Sequence, residues 1–562
     1  MNNKPIIIIY ILFLALSLQA QTFNEILGRP TNSSITINAL FDVQVNAYFE
    51  YGTVSGIYAK TTEQFTTVVG EPLEVKISEL LPETRYYYRT RYKKPSETTY
   101  KSGPERNFIT QRMKGSSFTF TIESDPHPYD PKGYHPLWDI CLNNQLNDHP
   151  DFMFDLGDTF GDDHLDKVTN LTRTSAQVKQ LMLDNRPHFG NVCHSMPFFF
   201  CQGNHEGEFG YYLLQTPPEN LATYETIWRK MYYPNPEPDE FYSGNKDVEA
   251  FGMDKPENYY AFEWGDALFV VVDGWRYSTA NIKPRNWEWT IVKTQYDWLK
   301  KTLETSTAKY KFVFTHHVMG ETRGGINVAT GFEWGGLDNG TNKFAANRPG
   351  WEMPIHQLMV KNKVNILFQG HDHVFAKEEL DNIVYQTLQM PSDSSYSLGI
   401  IANGSAFNGK VLAGSGHLRV TVTPDSVKVD YVNAKLAKDE TPTSKNGDII
   451  YSYSVKPKTV SGINQLSLNG QTLDCSIFPN PTANEIHIKF NQTISNELLA
   501  KLISMDGKIL NSINLGSYFT KNEYISLQPT DFNGNKLNAG LYFISIQNSA
   551  GDLLHKPLII TK

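Results

Sequence analysis

The pattern of hydrophobic and polar residues changes twice along the 562-residue chain. Between residues 22 and 111 apolar and polar positions alternate, which is typical of half-buried β-strands. Between 116 and 433 short continuous apolar runs alternate with stretches of helical spacing, which predicts buried strands covered by helices. The polar stretch 434–469 is predicted to be a linker, and 470–562 returns to alternation. We predict a multidomain protein with an N-terminal all-β sandwich, a central α/β domain and a C-terminal all-β sandwich.

Two elements of the central domain can be placed from this pattern. Apolar residues recur at helical spacing within 286–304, which predicts a helix that covers a sheet. The runs 418–422 and 427–432 flank Pro424-Asp425 and predict a closing β-hairpin.

Five apolar runs of the central domain are followed by short motifs rich in Asp, Asn and His. The motifs are Asp125-Pro126-His127, Gly157-Asp158, Gly203-Asn204-His205-Glu206, His316-His317 and Gly370-His371-Asp372-His373. Carboxylate, amide and imidazole groups are ligands of divalent metals. Because ligand sites of α/β domains collect on the loops at strand ends, the five motifs are expected to share one site.

The chemistry that suits such a set is phosphoester hydrolysis. It requires charge on the phosphate oxygens to be neutralised and a water molecule to be activated near neutral pH. Two metals about 3.5–4 Å apart, bridged by a carboxylate, meet both requirements. The five motifs offer one bridging Asp and a mixed shell of nitrogen and oxygen ligands.

The order and spacing of the motifs resemble those of the calcineurin-like metallophosphoesterases. The resemblance implies an αββα-layered domain with two divalent ions (Zn, Mn or Fe) and attack by a metal-bound hydroxide. It implies that the first ion is held by Asp125, His127 and His373, the second by Asn204, His316 and His371, and that Asp158 bridges them. His205 is implied as the residue that contacts phosphate and protonates the leaving oxygen.

The layout of a β-sandwich before this domain resembles the purple acid phosphatases, with two departures. Those enzymes have a Tyr ligand shortly after the bridging Asp, where this chain has Thr159-Phe160-Gly161. They also lack the His of the first motif, which is His127 here. We therefore expect divalent metals, no tyrosinate colour and a pH optimum nearer neutral or alkaline, because acid protonates His ligands.

The pocket around the metals is less defined by the sequence. Asn204, His205, His317 and Arg323 are the candidate substrate contacts, and packing or ligand support is the alternative for His317. Glu206 or Asp155 is expected to orient a ligand His. Gly370 is expected to let the backbone bend so that the two following histidines reach different metals.

The N-terminal segment 22–111 resembles a fibronectin type III module in the stretch 81–88, where a Tyr is expected to anchor a corner. Core packing is the favoured role of its tyrosines, and a sugar-binding strip is the alternative. Whether this domain binds a ligand or buttresses the central domain is left open.

The last segment resembles the C-terminal sorting domain of the type IX secretion system. The resemblance is carried by Phe478-Pro479-Asn480-Pro481-Thr482, Met505-Asp506-Gly507-Lys508, Gly540-Leu541-Tyr542 and the terminal Ile559-Ile560-Thr561-Lys562. It implies that the secretion machinery is a partner and that the protein is secreted or held at the cell surface of a Gram-negative bacterium.

Residues 1–20 carry Lys4 before an apolar run and end in Ala20, which predicts a signal peptide and a mature protein without a transmembrane segment. A membrane anchor is the alternative. The formal charge of −9 gives no sign of a nucleic-acid-binding surface. Cys193 and Cys201 fit either a disulfide or two buried thiols.

These observations predict a secreted phosphatase that releases inorganic phosphate from small phosphomonoesters. A phosphodiesterase or nucleotide pyrophosphatase with the same metal core is the alternative within enzymes. A catalytically inactive surface-binding protein is the alternative from another class, although all seven expected ligands are present.

Overall fold

A computed structural model describes most of the chain and divides it into two compact units, residues 1–457 and 458–562. The described residues are 23–128, 133–160, 172–320, 322–398, 406–458, 466–468, 471–473, 475–490, 498–504, 508–516, 524–530, 534–548 and 553–561. The predicted signal peptide and the Asp506-Gly507 turn lie outside them. Among the described residues, no helix has the length and apolarity needed to cross a membrane.

The first unit begins with nine strands in two antiparallel sheets. They are β1 Phe23–Gly28, β2 Ile35–Phe41, β3 Asn46–Gly52, β4 Lys60–Thr61, β5 Phe65–Thr66, β6 Leu73–Ile77, β7 Arg85–Lys93, β8 Lys101–Ser102 and β9 Arg106–Ile109. One sheet has the order β1-β2-β6, and the other has the order β4-β3-β7-β8 with β5 and β9 paired at β3 and β7. Residues of both sheets share one hydrophobic core. Tyr86 and Tyr88 are buried in that core, and the Tyr86 hydroxyl accepts a hydrogen bond from the N–H of Leu81 at 2.9 Å. Core packing is therefore the role of these two tyrosines.

The rest of the unit alternates strands and helices. The helices are α1 His135–Asn147, α2 Ser175–Gly190, α3 Gly210–Leu213, α4 Leu221–Tyr232, α5 Val292–Thr305, α6 Ile326–Ala329, α7 Phe332–Gly335, α8 Phe344–Asn347 and α9 Ile355–Lys361. The strands are β10 Phe118–Glu123, β11 Phe152–Asp155, β12 Phe198–Phe200, β13 Ser243–Gly244, β14 Tyr260–Trp264, β15 Ala267–Val271, β16 Tyr310–Phe314, β17 Leu337–Asp338, β18 Thr341–Asn342, β19 Ile366–Gln369, β20 Phe375–Leu380, β21 Ile383–Thr387, β22 Lys410–Leu412, β23 Gly416–Val422, β24 Val427–Asn433 and β25 Ile449–Val455.

Two sheets stack through an aromatic core. One has the order β12-β11-β10-β23-β24-β25, and the other has the order β13-β14-β15-β16-β19-β21-β20-β22. Alternate residues of a strand point to opposite faces, so Phe154 and Phe314 meet between the sheets with ring centroids 4.2 Å apart. Met153 and Val313 point outward, into cores that are shared with α2 and α5 respectively. Helices thus cover both outer faces.

Parallel pairing brings the five motifs together. Strands β10, β11 and β12 are parallel neighbours, and so are β15, β16 and β19. Since the carboxyl ends of parallel strands lie at one edge of a sheet, the loops after β10, β11, β12, β16 and β19 meet at the same end of the two sheets.

The predicted hairpin is confirmed, because β23 pairs with β24 in antiparallel register. The predicted helix is also present, although it begins at Val292, after a short 3₁₀ turn at Asn286–Glu288. The linker prediction is wrong for part of its range. Strand β25 lies inside 434–469 and pairs with β24, because Ile449–Val455 alternates Tyr and Ser and so fits the edge of a sheet.

The N-terminal sheets pack against the central domain. The N–H of Leu27 donates to the carbonyl of Cys193 at 3.0 Å, and the buried guanidinium of Arg186 donates to Asn24 Oδ1 and to the carbonyl of Asn38. Cys193 and Cys201 are both buried and are not bonded to each other. The two-thiol alternative is therefore the correct one.

Strands are the regular elements in the described part of the second unit. They are β26 Leu466–Leu468, β27 Gln471–Leu473, β28 Cys475–Phe478, β29 Ile486–Phe490, β30 Leu498–Ser504, β31 Ile509–Gly516, β32 Tyr524–Leu527, β33 Gly540–Asn548 and β34 Leu553–Ile560. Sheets β28-β29-β32 and β31-β30-β33-β34 share a core. The Asn480 side chain bonds the backbone of Pro557 and of Ile559, each at 2.8 Å, so the Pro-Asn-Pro turn is tied to the last strand.

Candidate metal centre

The side chains predicted as ligands converge at the shared edge of the two sheets. Three groups of possible ligand atoms, each within 4.8 Å of one another, overlap in a row. The groups are Asp125, His127 and His373; His127, Asp158 and His205; and Asp158, His316 and His371. The amide oxygen of Asn204 lies 3.0 Å from His316 Nε2, beside the third group. Every residue of the predicted ligand set is therefore present at one place.

Asp125 fastens the first motif to the last. Its carboxylate accepts the backbone N–H of His371 at 2.8 and 3.0 Å and the hydroxyl of Ser124 at 2.6 Å. Its own N–H donates to the carbonyl of Gly157 at 2.9 Å. These bonds fix the loops after β10, β11 and β19 relative to one another.

Five of the clustered residues have left-handed backbone conformations. Their φ angles are 57° for Asp125, 37° for His127, 60° for Asp158, 69° for His371 and 54° for His373. Such a conformation costs a non-glycine residue about 1–3 kcal/mol and persists where the surroundings enforce it. Here it turns successive side chains toward one centre, which explains how His371 and His373 both reach it.

The bend expected after Gly370 is present, but it lies at His371 and His373, so the bend itself does not require the glycine. Gly370 is needed for close approach, since a Cβ there would overlap Ser124 Oγ and Asp125 Oδ2. The same applies to Gly203, where a Cβ would overlap Asp158 Oδ1.

Glu206 organises backbone and does not orient a histidine. Its buried carboxylate accepts the N–H groups of Gly203 at 2.6 Å, Asp158 at 3.0 Å, Thr159 at 2.7 Å and Phe160 at 3.2 Å. Glu206 thus binds its own loop to the loop after β11.

Asp155 does not contact a histidine either. Its carboxylate accepts the N–H of Gly157 at 2.9 Å and the hydroxyl of Thr159 at 2.8 Å. The expectation that Glu206 or Asp155 orients a ligand His is thus incorrect. Both carboxylates accept hydrogen bonds from loop N–H groups, and Asp155 also accepts one from the hydroxyl of Thr159.

A carbonyl orients His316 instead. Its Nδ1 lies 2.8 Å from the oxygen of Leu156, which turns Nε2 toward Asp158 Oδ2 at 3.1 Å.

His205 differs from its neighbours because its side chain is 23% exposed, with Nε2 3.8 Å from Asp158 Oδ2. It is therefore the histidine of the middle group that solvent can reach.

His317 does not fit the prediction of a substrate contact. Its ring is fully buried, with Nε2 3.1 Å from the carbonyl of Gly324 and Nδ1 accepting the N–H of Met319 at 3.1 Å. Both ring nitrogens are thus taken up by backbone, which favours the alternative role of packing.

Arg323 is partly exposed and donates to the carbonyl of His371, with Nη1 3.4 Å from Asp372 Oδ1. Asp372 also accepts the N–H of Gly324 at 2.8 Å, so it fastens the loop that carries Arg323 to the last metal motif.

Burial and charge shift the pKa values of the cluster strongly. Burial lowers the pKa of His127 and His316, but the carboxylates beside them outweigh it and raise the two values to about 10 and about 9. Burial raises the pKa of Asp158, but His316 and His205 hold it well below its usual range. Burial and the nearby Arg323 lower the pKa of His371 well below its usual value.

The donor set fits divalent cations. His127 Nε2, His373 Nδ1 and both ring nitrogens of His371 are buried without a hydrogen-bond partner among the described residues. A buried polar atom without a partner is costly, and a cation beside the carboxylates satisfies both kinds of group.

The structure also reveals a residue that the motifs did not indicate. Trp275 follows β15 and is 1% exposed, and its ring centroid lies 6.0 Å from that of His316 and 6.3 Å from that of His371. The run that ends at Asp273 marks another strand end, but an aromatic residue there gives no metal signal.

Fold and site together define a metal-dependent phosphoric ester hydrolase. Residues 118–375 match the family model of the calcineurin-like phosphoesterases, in agreement with the resemblance seen in the sequence. Residues 476–561 match the model of the secretion system C-terminal sorting domain, which confirms the predicted sorting tail. Comparison with curated protein sequences gave no match.

Two solved structures are similar in fold. One is a structure of PhoD, with 14% identity, coverage of 77% of this chain and 90% of that one, and a TM-score of 0.53. The other is the purple acid phosphatase PPD1 from yellow lupin (Lupinus luteus), with 15% identity, coverage of 77% and 74%, and a TM-score of 0.50. At these identities the likeness concerns the fold alone.

Proposed function

We propose that the protein hydrolyses small phosphomonoesters outside the cell and uses two divalent ions (Zn, Mn or Fe). The observation that supports this most strongly is the row of three overlapping ligand groups, in which Asp158 is shared by two. In this proposal Asp125, His127 and His373 hold one ion. Asn204, His316 and His371 hold the other, and Asp158 bridges them. Ions bound there supply Lewis acidity, which neutralises charge on the phosphate oxygens and acidifies a water molecule.

The residues of the chain supply positioning and proton transfer. Because Asp125 and Glu206 fix the loops through backbone N–H groups, the ligands are held in place before substrate arrives. Water attacks phosphorus while the bond from phosphorus to the leaving oxygen breaks. His205, with its exposed imidazole beside Asp158, donates a proton to that leaving oxygen.

Divalent ions at both positions are supported by what replaces the Tyr ligand of the purple enzymes. Phe160 is fully buried, with its ring 5.0 Å from that of Phe200 and 4.4 Å from that of Tyr233. It belongs to the core behind the loop, and His127 offers a neutral nitrogen donor instead. We therefore expect no tyrosinate charge-transfer colour.

Export is proposed from the C-terminal unit. The sorting-domain match over 476–561 supports passage through the type IX secretion machinery to the cell surface or medium of a Gram-negative bacterium. A small phosphate ester outside the cell is then the substrate, and inorganic phosphate is a product.

The test is hydrolysis of p-nitrophenyl phosphate and bis-p-nitrophenyl phosphate by the full chain, after chelation and after addition of Zn, Mn or Fe(II). The proposal predicts metal-dependent turnover with preference for the monoester. Preference for the diester would reassign the substrate class. Absence of turnover with every metal would favour a binding protein. The variant His205→Ala keeps the proposed ligand set and tests the proton-transfer step separately.

A further inference from the structure

The ring of His371 is held differently from that of His316. His316 has the usual support of a ligand histidine, a hydrogen bond from the far ring nitrogen to a carbonyl, here that of Leu156 at 2.8 Å. Neither ring nitrogen of His371 has a hydrogen-bond partner among the described residues, although the side chain is buried. No hydrogen bond from the described residues therefore fixes its plane before an ion binds.

Aromatic rings surround His371. The centroid of His317 lies 4.9 Å from that of His371 with the planes at 44°, and the centroid of Trp275 lies 6.3 Å away with the planes at 45°. His316 meets the same ring edge-on at 5.2 Å. We call Trp275 and His317 the aromatic clamp of His371.

Both members of the clamp are themselves fixed. His317 is bonded through both ring nitrogens to the backbone of Gly324 and Met319. Trp275 is 1% exposed, and its backbone N–H donates to Asp273 Oδ1 at 2.8 Å, which fixes the main chain that carries the ring. Closely packed rings with fixed backbones restrict the plane that a neighbouring ring can take.

We propose that Trp275 is a positioning residue that, together with His317, sets the plane of His371 by ring packing and so sets the affinity of the second ion. This inference rests on the proposed function, because it assumes that His371 is a ligand of that ion. It gives His317 a role that agrees with its burial and gives Trp275 a role that the sequence did not indicate.

The test is the affinity of each of the two ions, measured by calorimetric titration of the chelated full chain with Zn²⁺. Removing support of a ligand ordinarily weakens metal binding about 10–100-fold, so Trp275→Leu is expected to weaken the second ion about tenfold and leave the first unchanged. Trp275→Phe keeps a flat ring and is expected to restore most of the affinity. Should Trp275→Leu not fold, Trp275→Met fills the space without a ring and gives the same expected result.

The control is Trp334→Leu. Trp334 is also fully buried with an indole N–H that has no partner among the described residues, and its ring packs against Trp289, away from the ligand set. This variant should lose stability but keep both ion affinities. The visible absorption of bound Co²⁺ gives an independent readout, and it should change in Trp275→Leu only.

The variant His371→Ala distinguishes failure of the proposed ligand set from failure of the aromatic clamp. If that variant still binds two ions as tightly as the parent, the ligand set itself is wrong. If it loses the second ion while Trp275→Leu binds both ions as Trp334→Leu does, the ligand set stands and the aromatic clamp is refuted.

Discussion

The carboxylate of Asp125 accepts the backbone N–H of His371 at 2.8 Å, across 246 residues of chain. This bond joins the first metal motif to the last, so the two ligand loops are positioned by the protein itself. Groups that are held in place in this way lose little freedom when ions and substrate bind.

Gly370→Ala should disrupt this junction. The added Cβ would overlap Ser124 Oγ and Asp125 Oδ2, and both atoms are buried in the packed centre. We expect loss of metal and of at least 90% of turnover, since misplacement by about 1 Å costs on the order of 10²-fold. Metal content and p-nitrophenyl phosphate turnover measure this. Gly540→Ala, where a Cβ would meet only the Tyr542 ring at 3.7 Å, is the control, and equal activity in both variants would contradict this prediction.

Glu206→Gln should weaken both the fold and the activity. The NH2 group that replaces one carboxylate oxygen would face backbone N–H groups that now donate to Glu206, including those of Asp158 and Thr159. We expect the free energy of unfolding to fall by about 3 kcal/mol, because charge-assisted bonds are replaced by opposed donors. Chemical denaturation measures this. Glu240→Gln at an exposed position should leave stability unchanged, and a similarly silent Glu206→Gln would show that the carboxylate is dispensable.

Glu25 should make stability depend on pH. Burial raises its pKa to about 7 from 4.5, with a hydrogen bond from Thr90 acting in the opposite direction. Because the folded state then binds the proton more tightly, this contribution is complete below about pH 4.5 and is lost as pH rises through about 7. The loss amounts to about 3 kcal/mol.

Denaturation of the chelated chain at pH 5 and pH 8 tests this. Glu25→Gln cannot ionise, so its loss of stability between the two pH values should be smaller than that of the parent by about 3 kcal/mol. Identical losses of stability in both proteins would mean that folding does not change the pKa of Glu25.

Arg186→Met should destabilise the first unit. Arg186 is fully buried and donates to Asn24 Oδ1 at 2.6 Å, to the carbonyl of Asn38 at 2.8 Å and to that of Tyr232. Its removal leaves buried acceptors without donors, at a cost of about 3 kcal/mol. Thermal unfolding measures the change. Arg186→Lys should recover only part of it, because one ammonium cannot span three acceptors, and an unchanged melting temperature in Arg186→Met would refute this role.

The clustering of the candidate metal ligands could be predicted because their signal is chemical and local. Asp, Asn and His directly after an apolar run identify themselves, and the parallel order of strands such as β10 and β11 brings them together. The roles of the residues behind them depend on atoms that are distant in sequence. Glu206 meets the amides of another loop, Trp275 faces rings from two further loops, and His317 is enclosed by the backbone around Gly324.

Fold prediction shows the same division. The strand–helix alternation identified the layers, and the hairpin β23–β24 followed from its turn. Strand β25 was missed because an edge strand needs only one buried neighbour, so its polar alternation resembles a linker.

The central claim is that two ions act together across Asp158, and Asp158→Asn tests it most directly. Asn tolerates the left-handed conformation at φ 60° and can still accept the N–H of His205 at 2.7 Å, so the fold should remain. The measurement is bound metal per chain together with phosphomonoester turnover. We predict fewer than two tightly bound ions and a fall in turnover of about a thousandfold or more. Two ions per chain with turnover near that of the parent would contradict it.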